Sequence, residues 1–394
     1  MEKIKQAIGQ LLSEAGITLN GNQPWDMTVH QDQFYSLLLK NVELNIGETY
    51  VDGMWDCPHL DQLFDRILSI NLDKTAIKHP LFWQSAIKQS LTDFFLPFLN
   101  NQTIKKSLVV GKKHYDVGND LYQKMLDKRM VYTCAYWEGA NNLDEAQEKK
   151  LQLTCEKLNL KPGMTLLDIG CGWGSLAKYA AEKYGVSVVG LTISQEQAEL
   201  AKQSCAGLPV EIRFQDYRRL QRGIEQFDRI ASLGMFEHVG SKNYRTYMEV
   251  IAHCLKNDGL FLLQTIGTNC QRQAINAWIN TYIFPNGELP TLGRISRSFE
   301  DIFVMEDWQN VGIYYDKTLM AWHHNFNTHW DSLKEKYDER FRRLWNYYLL
   351  SNAGAFRARR NQLWQIVLSK KGLRQGFQRP VLSAAKHGLI SLFS

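Results

Sequence analysis

From residue 164 onward the chain alternates short apolar segments with amphipathic helical segments, and this alternation constrains the fold more than any other feature. Successive parallel strands need a long crossover connection, which a helix supplies, whereas antiparallel strands can be joined by a short turn. The pattern therefore predicts an α/β domain with a largely parallel sheet and helices on both faces. The segments predicted as strands are 164–170, 186–191, 210–215, 228–234, 259–267, 303–308 and 362–369.

Helical spacing of apolar residues predicts helices at 175–184 and 242–256, and two aromatic-rich helices at 316–334 and 338–360. Residues 268–302, after the fifth strand, carry turn signals that include Pro-Asn-Gly. We expect this stretch to be an insertion that covers a site as a lid.

The first 99 residues follow a different pattern. Helical spacing predicts helices at 4–15, 61–70 and 80–99, whereas residues 42–57 carry strand and turn signals. The polar stretch 100–107 is predicted to be a linker. We therefore expect a small α+β domain at residues 1–99, for lipid binding or dimerisation, and a larger domain at 108–394.

Composition excludes several classes of protein. No run of about 18 apolar residues is present, so nothing is predicted to span a membrane, and the first residues lack the apolar core of a signal peptide. Seven cysteines without a CxxC pair indicate reduced thiols, with no disulfide framework and no metal site. The net charge of +5 is mild, and no nucleic-acid-binding motif occurs, so we expect a cytoplasmic protein that binds no nucleic acid.

The strongest local motif is a glycine-rich turn that follows the first predicted strand of the larger domain. It contains Asp168, Gly170, Gly172 and Gly174 in G-x-G-x-G spacing. Glycines allow a tight turn and close approach of a ligand to the backbone. A dinucleotide site would instead favour G-x-G-x-x-G and an acidic residue at the end of the second strand, which here ends in Leu-Thr-Ile-Ser.

This spacing favours S-adenosylmethionine, with its methionine part over the glycines. Thr192 and Gln197, at the end of the second strand, are predicted to bind the ribose hydroxyls. Asp216 and Tyr217, after the third strand, are predicted to contact adenine. A dinucleotide site and a purely structural turn remain the alternatives.

Five ordered segments resemble the cyclopropane-fatty-acyl-phospholipid synthases and, in part, the mycolic acid cyclopropane synthases. They are HYDVGNDLYQKMLDKRMVYTCAYW (114–137), LLDIGCGWG (166–174), LTISQEQ (191–197), GMFEHVG (234–240) and TLMAW (318–322). The resemblance implies a Rossmann-like class I methyltransferase fold with a seven-stranded sheet. It also implies methyl transfer from S-adenosylmethionine to a cis double bond of a phospholipid acyl chain, followed by loss of a proton and ring closure.

That chemistry places demands on the residues. An alkene is a weak nucleophile, so positioning against the methyl group must supply much of the catalysis. The carbocation needs electron-rich faces, for which Tyr315, Tyr136 and Trp137 are the candidates. Water must be excluded, because it would trap the cation as an alcohol.

The resemblance also implies that bound bicarbonate accepts the proton. Its ligands carry over as Cys134, Glu237, Tyr315 and the backbone of Ile266, and Tyr132 and Thr133 carry over as contacts of the cofactor carboxylate. The family usually has His where this chain has Gln264. A glutamine can donate a hydrogen bond to an anion but cannot relay a proton.

Three other functions fit parts of the sequence. A lipid C-methyltransferase, which leaves a methyl branch or a methylene, would use the same residues. A small-molecule amine or hydroxyl methyltransferase would leave Cys134, Glu237 and Tyr315 unexplained. A non-catalytic lipid-binding protein is favoured by Gln264 and by Asn352, which stands where some relatives have Cys.

A phospholipid substrate requires the enzyme to visit the inner face of the cytoplasmic membrane as a peripheral protein. The apolar segment 80–99 and the basic C-terminal helices are the candidates for that contact. These helices carry basic clusters at Arg340, Arg342 and Arg343 and at Arg357, Arg359 and Arg360. We also expect a homodimer.

Overall fold

The computed structural model describes residues 1–71, 80, 118–220, 224–269 and 275–382. The predicted linker 100–107, all but the first residue of the predicted helix 80–99 and the first four residues of the motif at 114–137 lie outside the described residues.

A seven-stranded sheet organises residues 165–369. The strand order is β5-β4-β3-β6-β7-β9-β8, and β9 is antiparallel to both of its neighbours, whereas the pairs from β5 to β7 are parallel. The predicted seven-stranded α/β sheet is therefore confirmed. The strands are β3 (Thr165–Ile169), β4 (Ser187–Thr192), β5 (Val210–Phe214), β6 (Phe227–Leu233), β7 (Leu255–Thr268), β8 (Val304–Asn310) and β9 (Asn361–Ser369).

Helices cover both faces of this sheet. Adjacent residues of a strand point to opposite faces, and Leu166 and Leu167 belong to two different buried clusters. The helices from residue 118 onward are α5 (Asn119–Met125), α6 (Leu143–Lys157), α7 (Ser175–Tyr184), α8 (Gln195–Ser204), α9 (Tyr244–Cys254), α10 (Ala277–Tyr282), α11 (Leu292–Phe299), α12 (Ile313–Thr328) and α13 (Glu339–Arg357).

The N-terminal segment, residues 1–71, is more helical than predicted. It contains α1 (Glu2–Glu14), α2 (Gln33–Lys40), α3 (Val42–Val51), α4 (Leu60–Ser69) and a two-stranded sheet of β1 (Thr28–Val29) and β2 (Trp55–Asp56).

The strand signals predicted at 42–57 are wrong for residues 42–51. The Asn41 side chain accepts a hydrogen bond from the Leu44 N–H at 3.2 Å and so caps α3. Gly47, which disfavours a helix in sequence, lets α3 approach α10, because a Cβ there would lie 2.4 Å from Cδ1 of Trp278.

The N-terminal segment packs on α13 through arginines. Arg343 donates to Asp56 Oδ1 at 2.7 Å and to the Tyr50 carbonyl at 2.8 Å. Arg357 lies between Asp61 and Asp316, at 2.8 and 2.9 Å. These two arginines therefore join the N-terminal segment to the C-terminal helices α12 and α13.

In the part of the chain that the structure describes, no helix is long and apolar enough to cross a membrane. The six cysteines among the described residues are buried and free.

Candidate active site

A cavity of about 170 Å³ lies at the carboxyl edge of β3, β4 and β5, around the glycine-rich turn. Parallel strands place the residues that follow them at the same edge, where α/β proteins bind ligands. Nine of the ten predicted cofactor residues line it: Tyr132, Thr133, Asp168, Gly170, Gly172, Thr192, Gln197, Asp216 and Tyr217.

Gly174 is the exception, since it is not among the residues that line this cavity. It precedes α7 with a positive φ of 82°, and a Cβ there would lie 3.1 Å from Cys205 Sγ. Its contribution is to let the chain turn into α7 close to α8. Gly170 and Gly172, with φ of 83° and 55°, keep their predicted place in the cavity wall.

The ribose and adenine candidates are held by their neighbours. The Thr192 hydroxyl donates to Gln197 Oε1 at 2.9 Å, and both side chains are buried. Asp216 forms an ion pair with Arg218 at 2.6 Å, so an arginine lies beside the predicted adenine contact. These contacts fix the side chains in the cavity wall.

Lys150 on α6 is a cavity residue that the sequence analysis missed. Its Nζ donates to Thr133 Oγ1 at 3.0 Å, and the side chain is buried. Burial lowers its pKa to about 8, and Asp127 and Asp168 oppose this shift. The sequence could have identified Lys150, because Leu143, Gln147 and Lys150 lie at helical spacing and share the buried face of α6.

Burial also acts on Asp168, whose pKa it raises to about 7 while Lys150 lowers it. Its Oδ2 has no hydrogen-bond partner among the described residues. A buried carboxyl oxygen that faces this cavity is suited to accept a hydrogen bond from a ligand.

A second cavity, of about 480 Å³, adjoins the first. It is walled by the N-terminal segment, by the insertion predicted at 268–302 and by α13. Phe64 and Leu68 come from α4, and Ile279 and Phe284 come from the insertion. Most of the residues that line this cavity are apolar or aromatic, which suits a hydrocarbon ligand.

Four residues line both cavities: Tyr132, Thr133, Gly234 and His238. Burial lowers the pKa of His238 to about 4, so this side chain is neutral at physiological pH. The structure places it in the wall that the two cavities share. Ligands in the two cavities would therefore lie next to each other along this shared wall.

Glu237 lies in a short 3-10 turn after β6 and lines the second cavity. Its Oε1 accepts a hydrogen bond from the Ile266 N–H at 2.6 Å, which brings together two of the predicted catalytic residues. Burial raises its pKa to about 7, against the backbone hydrogen bond of Ile266, which lowers it. The other oxygen, Oε2, has no hydrogen-bond partner among the described residues.

Gln264 and Tyr315 line the same cavity. Gln264 Oε1 accepts from Gln365 Nε2 at 2.9 Å, while Gln264 Nε2 has no hydrogen-bond partner in the described part of the chain. The Tyr315 ring packs against Phe356, with centroids 4.4 Å apart. The cavity thus has an unused donor, an unused acceptor and aromatic rings.

Three predicted residues lie elsewhere. Cys134 is buried but lines neither cavity; its thiol donates to the Ala135 carbonyl at 3.3 Å, and burial raises its pKa to about 12. Trp137 donates to Thr318 at 2.9 Å, and the Tyr136 hydroxyl donates to Glu138 at 2.6 Å. The aromatic faces of the second cavity come from other residues: Phe64, Tyr132, Phe284, Tyr315, Tyr347 and Tyr348.

The chain is similar in sequence and fold to known proteins. Residues 102–366 match a family model described as mycolic acid cyclopropane synthetase. The chain is 50% identical over 369 residues, 94% of each chain, to the cyclopropane-fatty-acyl-phospholipid synthase of Escherichia coli strain K12. It is 39% identical over 269 residues, 65% of this chain and 68% of the relative, to a probable fatty acid methyltransferase of Pseudomonas putida.

A solved structure of the mycolic acid cyclopropane synthase CmaA1, complexed with SAH and CTAB, has a TM-score of 0.62 and 31% identity to this chain. The match covers 67% of this chain and 98% of that one. The sheet and the cavity at the glycine turn define a class I S-adenosylmethionine-dependent methyltransferase. Within that class, the chain belongs to the mycolic acid cyclopropane synthetase family.

Proposed function

We propose that this enzyme converts cis double bonds of phospholipid acyl chains into cyclopropane rings, with S-adenosylmethionine as the one-carbon donor. The observation that carries the proposal is the wall of Tyr132, Thr133, Gly234 and His238, which is common to the cofactor cavity and to a largely apolar cavity of about 480 Å³. The relative from Escherichia coli, which matches over 94% of both chains, supports a phospholipid substrate.

In this reaction the alkene π electrons attack the sulfonium methyl carbon, and sulfur leaves with the electron pair of the broken bond. The acyl chain then carries a positive charge, and loss of a proton from the added methyl group closes the ring. The protein's main contribution is to hold the two reactants in line, because an alkene attacks only from a well-oriented position.

The walls of the second cavity suit a cationic intermediate. Tyr132 and Tyr315 offer aromatic faces, whose negative quadrupole attracts positive charge. Phe64 and Leu68 of α4 exclude water from that side. A cation formed there is stabilised and protected from capture by water.

Bicarbonate fits two of the three polar atoms at this cavity that have no hydrogen-bond partner among the described residues, namely Glu237 Oε2 and Gln264 Nε2, the third being His238 Nδ1. It offers a hydroxyl to Glu237 Oε2 and oxygen acceptors to Gln264 Nε2, and both of these protein atoms are buried without a partner among the described residues. When bound, bicarbonate would supply a base for the proton that is lost. Tyr315 lines the same cavity, whereas Cys134 lines neither cavity and has no part in this arrangement.

The first test is to incubate the purified enzyme with S-adenosylmethionine and vesicles of a cis-monounsaturated phospholipid, followed by mass spectrometry of the fatty acids. A product one CH2 heavier that contains a cyclopropane ring supports the proposal. A methyl branch or a methylene would instead identify a lipid C-methyltransferase, the activity suggested by the name of the Pseudomonas putida relative. Glu237→Gln serves as the active-site control.

We also propose that the enzyme is a homodimer and binds the inner face of the cytoplasmic membrane peripherally. The apolar residues of 80–99 and the chemistry of a bilayer-bound substrate support this proposal. High salt should weaken binding to anionic vesicles if charge attraction contributes. Binding that is insensitive to salt would indicate apolar insertion, and light scattering would measure the oligomeric state.

A further inference from the structure

A buried chain of hydrogen bonds connects α6 to the second cavity. Lys157, at the end of α6, is 0% exposed, and its Nζ donates to Gln365 Oε1 at 2.8 Å. Gln365 Nε2 in turn donates to Gln264 Oε1 at 2.9 Å. The two glutamines are direct cross-strand partners on β9 and β7, so the sheet holds them side by side.

Lys157 fixes the direction in which these hydrogen bonds are donated. An ammonium group has three protons and no acceptor, so any residue bonded to it must turn an oxygen towards it. Gln365 therefore directs its carbonyl to Lys157 and its NH2 group to Gln264. Gln264 must then direct its carbonyl to Gln365, which leaves its NH2 group, unpartnered in the described part of the chain, for the cavity.

The surroundings of Lys157 hold the ammonium in place. Gln309 Oε1 accepts from Nζ at 2.6 Å, and Asp307 Oδ2 lies 3.7 Å away. Asp307 is shared with Arg379, which also forms an ion pair with it. A buried lysine is costly unless its protons are used, and three acceptors surround this one.

We propose that Lys157 and Gln365 are positioning residues that fix the Gln264 amide as a hydrogen-bond donor towards an oxygen anion in the second cavity. A free glutamine amide can present either its NH2 group or its carbonyl, and a carbonyl would repel an anion. The hydrogen bonds from Lys157 to Gln365 and from Gln365 to Gln264 remove that ambiguity. This inference rests on the proposed binding of bicarbonate, and it explains how a glutamine serves in an anion site.

The test is the nearly isosteric variant Gln365→Glu in the full-length protein. The new carboxylate still accepts from Lys157 but cannot donate, so Gln264 should turn its NH2 group inward and its carbonyl towards the cavity. The affinity for 13C-labelled bicarbonate, measured by NMR line broadening without cofactor, should fall about tenfold or more. S-adenosylmethionine affinity and Tm should stay close to those of the wild type.

Gln309→Glu is the matched control. It places the same negative charge beside the same lysine, but Gln309 is not part of the path to Gln264. Its affinity for bicarbonate should stay within about twofold of the wild type. An equal loss in both variants would mean that charge alone, and not amide orientation, is responsible, and would overturn the inference.

A double variant separates positioning from general damage. If Gln365 acts through Gln264, then Gln365→Glu should weaken bicarbonate binding no further in a Gln264→Leu background. Additive losses would contradict the inference. If the wild type and Gln365→Glu bind bicarbonate equally well, only this inference is refuted. If the wild type binds no bicarbonate, both this inference and the proposed bicarbonate site are refuted.

Discussion

Lys150 Nζ donates a hydrogen bond to Thr133 Oγ1 at 3.0 Å, within the wall of the cofactor cavity. Thr133 was predicted to contact the carboxylate of the cofactor, and the hydrogen bond places an ammonium beside that contact. Asp127 and Asp168 act on Lys150 by electrostatic attraction and not by a hydrogen bond, and the effect of Asp127 is the larger. Lys150 is therefore suited to pair with a ligand carboxylate.

We expect Lys150→Met to raise the Kd for S-adenosylmethionine about tenfold or more, because a charge-assisted hydrogen bond is lost. Titration calorimetry would measure it. Lys149→Met is the matched control, since Lys149 donates to the Glu138 carbonyl at 2.8 Å and does not line the cavity. Equal affinity in Lys150→Met and wild type would remove Lys150 from the cofactor site.

Glu237 should make stability fall with rising pH. Burial raises its pKa from 4.5 to about 7, so the folded protein binds this proton more tightly than the unfolded chain does. That stabilisation is complete below pH 4.5 and is lost as the pH rises through 7. Since Glu237→Gln cannot titrate, wild type should lose roughly 2 to 3 kcal/mol relative to the variant between pH 4 and 8.

Urea unfolding of both proteins across this range would measure the difference. Burial shifts the pKa of Asp168 in the same direction, but Asp168 is present in both proteins, so its contribution cancels. A constant gap between the two curves would show that the pKa of Glu237 is the same in the folded and unfolded states, and would contradict the shift caused by burial.

Tyr315→Phe tests a hydroxyl at the second cavity. The ring stays packed on Phe356, so Tm should change little, while turnover should fall roughly 10- to 100-fold if the hydroxyl helps to bind the anion. Tyr314→Phe is the control, because Tyr314 packs on Tyr136 and does not line this cavity. Similar losses in both variants would argue against a specific role for Tyr315.

Gly354→Ala should loosen the junction of α13 with α4. A Cβ at Gly354 would lie 2.5 Å from the Asp61 carbonyl oxygen, and backbone atoms cannot move aside without displacing α4. We expect a loss of about 2 kcal/mol of stability and a higher KM for lipid, because Phe64 and Leu68 of α4 line the second cavity. The Kd for S-adenosylmethionine should not change.

Gly293→Ala provides the comparison. Gly293 lies in α11, and no atom lies within 4 Å of a Cβ built on it. Alanine there should be neutral or stabilise the protein by about 0.5 to 1 kcal/mol, from helix propensity. Thermal unfolding would measure both variants, and equal Tm values would contradict close packing at Gly354.

The sequence was most informative where structure depends on local pattern. The seven strands and the turn from Asp168 to Gly172 follow from periodicity and from glycine spacing, which are local properties. The helix at 42–51 was missed because its glycine and alternating apolar residues resemble a strand, and only the approach of Trp278 explains Gly47.

Long-range contacts were the harder part of the site. Tyr136 and Trp137 share a motif with the cavity residue Tyr132, yet their side chains point elsewhere. Gln365 is 101 residues from Gln264, and no local pattern connects them. Such pairs depend on the register between strands, which the sequence of either strand alone does not specify.

The position of Phe64 and Leu68 in the wall of the second cavity bears on how this enzyme could diversify. These side chains come from the N-terminal segment, which precedes the region 102–366 matched by the family model, whereas Glu237, Gln264 and Tyr315 lie within that region. The cavity is thus assembled from two stretches of the chain, because α4 supplies one part of its apolar wall and the region matched by the family model supplies the rest, including Ile279 and Phe284. Sequence changes in α4 would therefore reshape one side of this cavity and leave Glu237, Gln264 and Tyr315 unchanged.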